Sequence, residues 1–328
     1  MPTPPSLIAS LLAGFDATTS HIALIVFPIV LDLFVWLGPH FKITTLINTF
    51  NQQLVELATS ASGQPQDLLQ ANQDMWKFLA GRINLLMFLR TYPVGIPSLM
   101  SGRLPLDAPI GKPLVWDIRS FLAVVGIWLL LSLLGLVLGS LYFIVVADAS
   151  TAGKISWQQV LKTWPRVSLN TILLTLLWCV LIVGVSIPAS CILSALAFGS
   201  LTLGRLGLLL YGGILLWVIF PLLFSPHGIF VNRNNVFESV RRGVRVTRMT
   251  LPSTGLFFLI VFVLSQGMDI LWRVPPENSW FTLVGLAGHA FVTTGLLASS
   301  FVYYRESDLW IQRMLAYWNK APQAHPNA

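Results

Sequence analysis

Two ionisable residues lie inside strongly apolar sequence: Asp32 in HIALIVFPIVLDLFVWL and His289 in WFTLVGLAGHAFVTTGLL. A charge placed in hydrocarbon costs about 2.5–3.5 kcal/mol on insertion scales, so such groups face a protein interior and pair with one another or mark a polar pathway. Asp32 stands about 12 residues and His289 about 9 residues into their apolar runs, which at 1.5 Å per residue puts both in the same half of the membrane. The expectation is a contact between the first and last apolar segments. It either pins two helices or belongs to a polar route. Asp269 has a local partner in Arg273, one helical turn on.

A second concentration of chemistry is the run Arg241, Arg242, Arg245 and Arg248, the densest charge on the chain. On a helix that presents Val236, Phe237, Val240 and Val244 on another side, these arginines would lie against anionic lipid headgroups, each adding about 1 kcal/mol. Positive-side anchoring alone explains the same pattern. Catalytic signatures are absent: there is no phosphate-binding glycine loop, no paired-histidine zinc helix, no cysteine pair and no Gly-x-Ser-x-Gly turn. His21, His40, His227, His289 and His325 have no ligand spacing, and no metal or cofactor is expected. Cys179 and Cys191 are twelve residues apart in one apolar run, about 18 Å along a helix, too far to bridge.

The elements that must position these residues follow from composition. Of 328 residues 55% are hydrophobic and 10% charged, against about 45–50% and 25% in soluble domains. The net charge of +7 is spread over loops between apolar runs and forms no nucleic-acid stripe. Apolar runs long enough for about 30 Å of hydrocarbon occur at Ser20 to Leu37, Ser120 to Val146, Val167 to Leu193, Leu206 to Val231, Leu251 to Trp272 and Trp280 to Tyr303. Trp116, Trp272, Trp280 and Tyr304 fall at span ends, at headgroup level. Pro28, Pro188, Pro221 and Pro226 fall in or near spans, where each removes a backbone donor and permits a kink. Gly135 with Gly139, and Gly295 with Ser299, form small-residue steps suited to close helix contact, within the bundle or between two copies.

With six spans, the second loop, the fourth loop and the tail share one side and hold eleven Lys and Arg, whereas the opposite short loops hold Arg205 and Arg273. The positive-inside rule then puts both termini in the cytoplasm. The amino terminus lacks a basic residue and Lys42 closely follows the first span, which taken alone favours the reverse. The first loop, however, exceeds about 60 residues, the length over which loop charge is informative. A leader is not expected either, because no cationic segment precedes the first apolar run.

That first loop, residues 39–119, shows helical spacing at Ile43, Leu46, Ile47, Phe50, Leu54 and Leu57, and a second helix from about Asp67 to Leu89. The stretch INLLMFLRTYPVGIPSLM carries Arg90, Pro93, Gly95 and Pro97 and suits an interfacial or re-entrant segment. The second and fourth loops repeat weakly at a spacing of 79 residues: Gln159 matches Glu238, Leu161 matches Val240, Lys162 matches Arg241 and Arg166 matches Arg245. Ser156 and Asn235 supply cap signals, so each loop is predicted to form a short surface helix. The tail around Trp310, Ile311, Met314 and Leu315 is a third such element. The elbow GIFVNRNNVFESVRRGVRVTR and the terminal FVYYRESDLWIQRML resemble the bacterial multi-pass family typified by the integral membrane domain fused to some glycerophosphodiester phosphodiesterases. The likeness spans residues 121–315 in hydropathy and elbow spacing. It implies a polytopic helical fold; nothing resembling a phosphodiesterase catalytic domain is present, so the enzymatic activity of such fusions does not transfer.

The sequence thus predicts an all-α polytopic bundle of about six spans with amphipathic elbow helices. It divides into residues 1–38 (first span), 39–119 (external loop), 120–304 (five spans) and 305–328 (cytoplasmic tail). The expected role is a non-enzymatic accessory, assembly or organising protein of the cytoplasmic membrane, contacting anionic lipids and a membrane-protein partner or a second copy. The alternative is a small-solute or lipid-related transporter using Asp32 and His289. A polar cavity at mid-depth separates the two.

Overall fold

The computed structural model describes residues 4–60 and 66–320. Most of the described chain is helix: α1 (Leu7–Ser20), α2 (Val26–Leu37), α3 (Thr44–Ser60), α4 (Gln66–Arg82), α5 (Met100–Arg103), α6 (Phe121–Ala152), α7 (Trp157–Gly199), α8 (Leu201–Ile219), α9 (Ser225–Val231), α10 (Val236–Met249), α11 (Leu251–Trp272) and α12 (Thr282–Lys320). Five helical segments are long and apolar enough to cross a membrane, and α1 with α2, a pair bent by 90°, brings the number to six where the pair is counted as one broken span. The protein is a multi-pass membrane protein.

α12 is the shaft of the bundle. In its most apolar window 56% of residues are buried, against 6% to 11% in the other four continuous spans. A helix surrounded by protein can hold polar groups that a lipid-facing helix cannot, and α12 accordingly buries Thr282, His289, Thr294, Ser299 and Ser300. α7 and α8 lie at the periphery as a hairpin, joined by a hydrogen bond between Ser186 and Tyr211 (2.6 Å). Cys179 and Cys191, both free, are exposed on α7.

The first span differs from the expected straight helix over Ser20 to Leu37. α1 begins at Leu7, and a 3-10 turn (Ile22–Ile25) bends the path by 90° before α2. Small residues at four-residue spacing explain the earlier start: Ser10, Gly14 and Thr18 form the buried face of α1, and small side chains let helix backbones meet. A Cβ on Gly14 would stand 2.2 Å from the Ser299 backbone nitrogen. The Ser299 hydroxyl donates to the Leu11 carbonyl (3.1 Å), and Gly295 abuts the Phe15 ring. The Gly295–Ser299 step therefore packs α1 against α12. The Gly135–Gly139 step receives a loop instead of a helix: added Cβ atoms would stand 2.4 Å from the Leu89 carbonyl oxygen and 2.7 Å from the Gly95 Cα.

Two predicted surface helices are continuous with spans. α7 runs from the second-loop elbow through its span without interruption although Pro165 and Pro188 lie inside it, and Ser156 makes no side-chain cap. α12 likewise carries the tail. Neither junction contains a glycine or turn sequence that would stop a helix. The fourth-loop elbow α10 is separate as expected, capped by Asn235, which accepts from the Glu238 amide (3.0 Å). Where prolines do interrupt a span is between α8 and α9, at a 3-10 turn containing Pro221. α6 ends at Gly153, whose φ of 67° is the left-handed C-terminal position that glycine accepts without strain.

Residues 38–119 gather at one end of the bundle. Two short parallel strands, β1 (His40–Lys42) and β2 (Val115–Asp117), close the neck of this segment in the register His40 with Val115. The sequence reading contained no strand there; three-residue strands leave too little alternation to detect. α3 and α4 pack together beyond the neck, with Phe50 against Trp76. Asn84 stitches the return, accepting from the Phe41 and Leu86 amides (both 3.1 Å). The elbows gather at the opposite end: Arg233 pairs with Asp148 (2.6 Å), Arg305 donates to the Thr151 carbonyl, and Arg242 faces Asp308 (3.9 Å). His325 lies outside the described residues.

Candidate functional site

After α4 the chain turns back into the bundle. The segment from Leu85 to Met100 buries Leu85, Leu86, Leu89, Val94, Ile96, Ser98, Leu99 and Met100. Backbone that leaves regular structure at membrane depth survives only where protein satisfies its polar groups, and Asp32 does this for the entrance to α5. Its carboxylate accepts from Ser98 Oγ (2.5 Å), the Met100 amide (2.9 Å) and the Leu99 amide (3.1 Å). Ser98 Oγ in turn accepts from the Ser101 amide (3.0 Å). A carboxylate with three donors is a satisfied buried anion.

His289 Nδ1 stands 3.9 Å from Asp32 Oδ2, beyond hydrogen-bond length. The other ring nitrogen, Nε2, lies 3.6 Å from Asp269 Oδ1. The expected local pair between Asp269 and Arg273 is present at 3.9 Å, but Asp269 also faces the interior. An imidazole buried to 3% side-chain exposure is thus flanked by two carboxylates, one on each ring nitrogen, and its Nδ1 makes no hydrogen bond.

Arg90 is the member the sequence reading did not assign. Its guanidinium donates to the Ser98 carbonyl (2.8 Å), lies over the Tyr92 ring (5.4 Å to the centroid), and acts electrostatically on Asp32, Asp269 and His289. The signal was available. Arg90 interrupts an apolar run, the same criterion that singled out Asp32. Gly102 leaves room for two cations: a Cβ there would stand 3.0 Å from Arg273 Nη2 and 3.6 Å from Arg90 Nη1. Arg273 is 41% exposed at the mouth of the cluster.

Above the mouth, Glu277 joins the segments that frame it. It faces Arg103 (3.5 Å) and Arg82 (3.9 Å), and accepts from the Leu106 amide (2.9 Å). Its own carbonyl accepts from Trp36 Nε1 (3.0 Å), while Arg103 donates to the Pro275 carbonyl (2.6 Å). In sequence Glu277 reads as an ordinary loop residue.

Below the cluster, at mid-depth of α11 and α12, is an open-sided cavity of about 280 Å³. Its polar lining is Arg90, Thr91, Tyr92, His227, Ser265, Thr293 and Ser300, and Tyr92 is exposed at its open side. Its remaining walls include Ile96, Phe143, Phe258 and Val261. Thr293 is one turn from His289 and donates to its carbonyl (2.7 Å). His227 Nε2 and Ser300 Oγ are 2.9 Å apart. Arg90 is the one charged side chain in this lining, and His227 with Ser300 adds polar groups farther along α12.

The elbow arginines divide. Arg242 is half-buried, bonded to Glu238 (2.6 Å) and facing Asp308; that hydrogen bond holds Glu238 below the usual carboxylate range and raises Arg242. Arg241, Arg245 and Arg248 are exposed. The face that α10 buries is Val236, Ser239, Gly243, Val246 and Thr247. The predicted apolar face is only partly right, since Phe237 is exposed. No group of His, Cys, Asp and Glu among the described residues could hold a metal ion. Compared with family models, curated proteins and solved structures, the chain matches none.

Proposed function

We propose that this protein binds and carries a small amphiphilic anion within the membrane, the transport alternative of the two roles expected from sequence. The observation that carries the reading is the mid-depth cavity whose one charged lining group, the Arg90 guanidinium, also faces the Asp32–His289–Asp269 cluster. Concave, mostly apolar sites with a few convergent polar groups are where small molecules bind, and broken helices near mid-membrane are where transporters place them. The α8–α9 break and the turn between α1 and α2 supply such irregularities. The expected host is the cytoplasmic membrane with both termini inside. That puts α3 and α4 outside, with the segment from Leu85 to Met100 returning into the bundle, and sets Arg241, Arg245 and Arg248 against anionic headgroups.

The test is binding of hexanoate and hexanesulfonate to the full chain in nanodiscs, with hexanol as the uncharged comparator. Both anions should bind more tightly than hexanol, and Arg90→Gln should abolish the preference. Equal binding of anion and alcohol, or anion preference that survives Arg90→Gln, overturns the reading.

The accessory role keeps one observation in its favour. On the α3–α4 hairpin Phe50, Met75 and Phe78 are more than half exposed, an apolar surface where a membrane partner could dock. A partner recovered stoichiometrically after gentle extraction, and lost on Phe78→Ser, would favour it.

A further inference from the structure

We infer that anion binding at this site is coupled to uptake of one proton, held by His289 between Asp32 and Asp269. The inference rests on the anion-carrier reading above and adds the co-transported ion. Charge balance leads to it. The groups facing the cluster are Asp32 from α2, Arg90 from the re-entrant segment, Asp269 from α11 and Arg273 just past its end. Their formal charges sum to zero with His289 neutral, while above the mouth Glu277 is engaged by Arg103 and Arg82.

Other elements packed on α12 bring no charge to this level. On α1, Asp16 is exposed and His21 Nδ1 engages the Ala17 carbonyl. α9 and α10 bring His227, Glu238 and Arg242, which face Ser300 or Asp308, about three turns or more along α12. α6 carries its one acid, Asp148, at the elbow end against Arg233.

An anion placed against Arg90 leaves one uncompensated negative charge in a low-dielectric interior, where interactions between charges are strong. One proton restores neutrality. His289 is the acceptor whose surroundings reward it, because either ring nitrogen meets a carboxylate oxygen within 4 Å. An imidazolium there turns two loose contacts into charge-assisted ones. His227, which also lines the cavity, is packed among Phe224, Phe301 and Tyr304 and has no carboxylate beside it. The proton comes from water, no bond in the anion is made or broken, and anion and proton leave together when the site empties.

Calorimetric titration of the full chain in nanodiscs with hexanesulfonate, which stays ionised across the range, counts protons when repeated in phosphate and in Tris. The expected result is uptake of about one proton per anion between the acceptor's free-state and bound-state pKa, with affinity falling roughly tenfold per pH unit as pH rises across that window and levelling off above it. His289→Gln should bind with buffer-independent heat and a flat pH profile. Wild-type binding with buffer-independent heat overturns the coupling and leaves the carrier reading standing. Failure of hexanesulfonate and hexanoate to bind wild type at any pH overturns both. The wild-type buffer comparison decides the matter even where the substituted protein does not fold.

Discussion

At the end of the bundle that carries residues 38–119, Asp32, Arg90 and Asp269 turn into the protein. At the opposite end Arg241, Arg245 and Arg248 turn out of it. Similar side chains therefore have different work. An interior charge must be matched group by group, because each unmatched one carries a desolvation cost of several kcal/mol. An exterior charge is matched by water and headgroups, and its spacing is loosely constrained. Arg242 shows the boundary: one residue's rotation from Arg241, about 100° around the same helix, brings it from the exposed row to Glu238 and Asp308. The comparison assigns specificity to the loop end and orientation to the elbow end.

The largest effect should come from the interior end. Asp32→Ala strips the acceptor from Ser98 Oγ and from the Leu99 and Met100 amides at once, and leaves Arg90 short of a counter-charge. Removing one partner of a buried ionic network costs about 3–5 kcal/mol. Thermal unfolding in detergent should fall by several degrees, and proteolysis should reach the segment around Leu99 first. Asp32→Asn, which keeps one acceptor oxygen, should lose less. If the two substitutions leave melting unchanged, the contrast between inward and outward charge fails.

A smaller effect is expected at the neck of the same end. Burial, and after it the charge of Lys42, hold the His40 imidazole below its ordinary value of 6.5, so the folded neck favours the neutral ring. Below that value the unfolded chain binds a proton that the folded one resists, and stability is lost as pH falls until the folded ring titrates too. The protection of the Phe41 and Ile118 amides, taken as exchange relative to the intrinsic rate at each pH, should therefore fall between neutral pH and pH 5, and His40→Gln should flatten the dependence. Protection that is constant over this range, or a dependence unaltered by the substitution, would remove His40 as the cause.

How much of this was legible in sequence divides along the same line. The spans were readable because long apolar runs have few alternatives at 1.5 Å per residue, and Asp32 and His289 because charge in such a run needs a reason. Their partners were harder. Asp269 had a sufficient local partner in Arg273, which hid its second contact with His289. Arg90 was used only as an argument against a span. The earlier start of the first helix is written in Ser10, Gly14 and Thr18, a small-residue stripe that a search for long apolar runs does not detect. The backbone donors of Leu99 and Met100 have no sequence signal at all, since any residue supplies an amide. The neck strands were invisible for a similar reason: their pairing is backbone to backbone.

The smallest effect belongs to the outward arginines. Replacing Arg241, Arg245 and Arg248 together with Gln removes no hydrogen bond identified for this helix, while Val236, Ser239, Gly243, Val246 and Thr247 keep α10 seated on the bundle. Melting in neutral detergent should move by no more than about a degree, because exposed charges away from special contacts change stability within about 0.5 kcal/mol. What should change is the preference for anionic over zwitterionic nanodiscs, by about 1 kcal/mol per arginine at low salt, a difference that salt should erase. Arg242→Gln should do the reverse, lowering stability slightly through Glu238 and Asp308 while leaving lipid preference nearly intact. Because the four arginines sit within eight residues of one helix, the pair of outcomes separates side-chain placement from net charge. If Arg242→Gln altered lipid preference as much as Arg245→Gln alone, charge count would suffice and the placement of each arginine would be irrelevant.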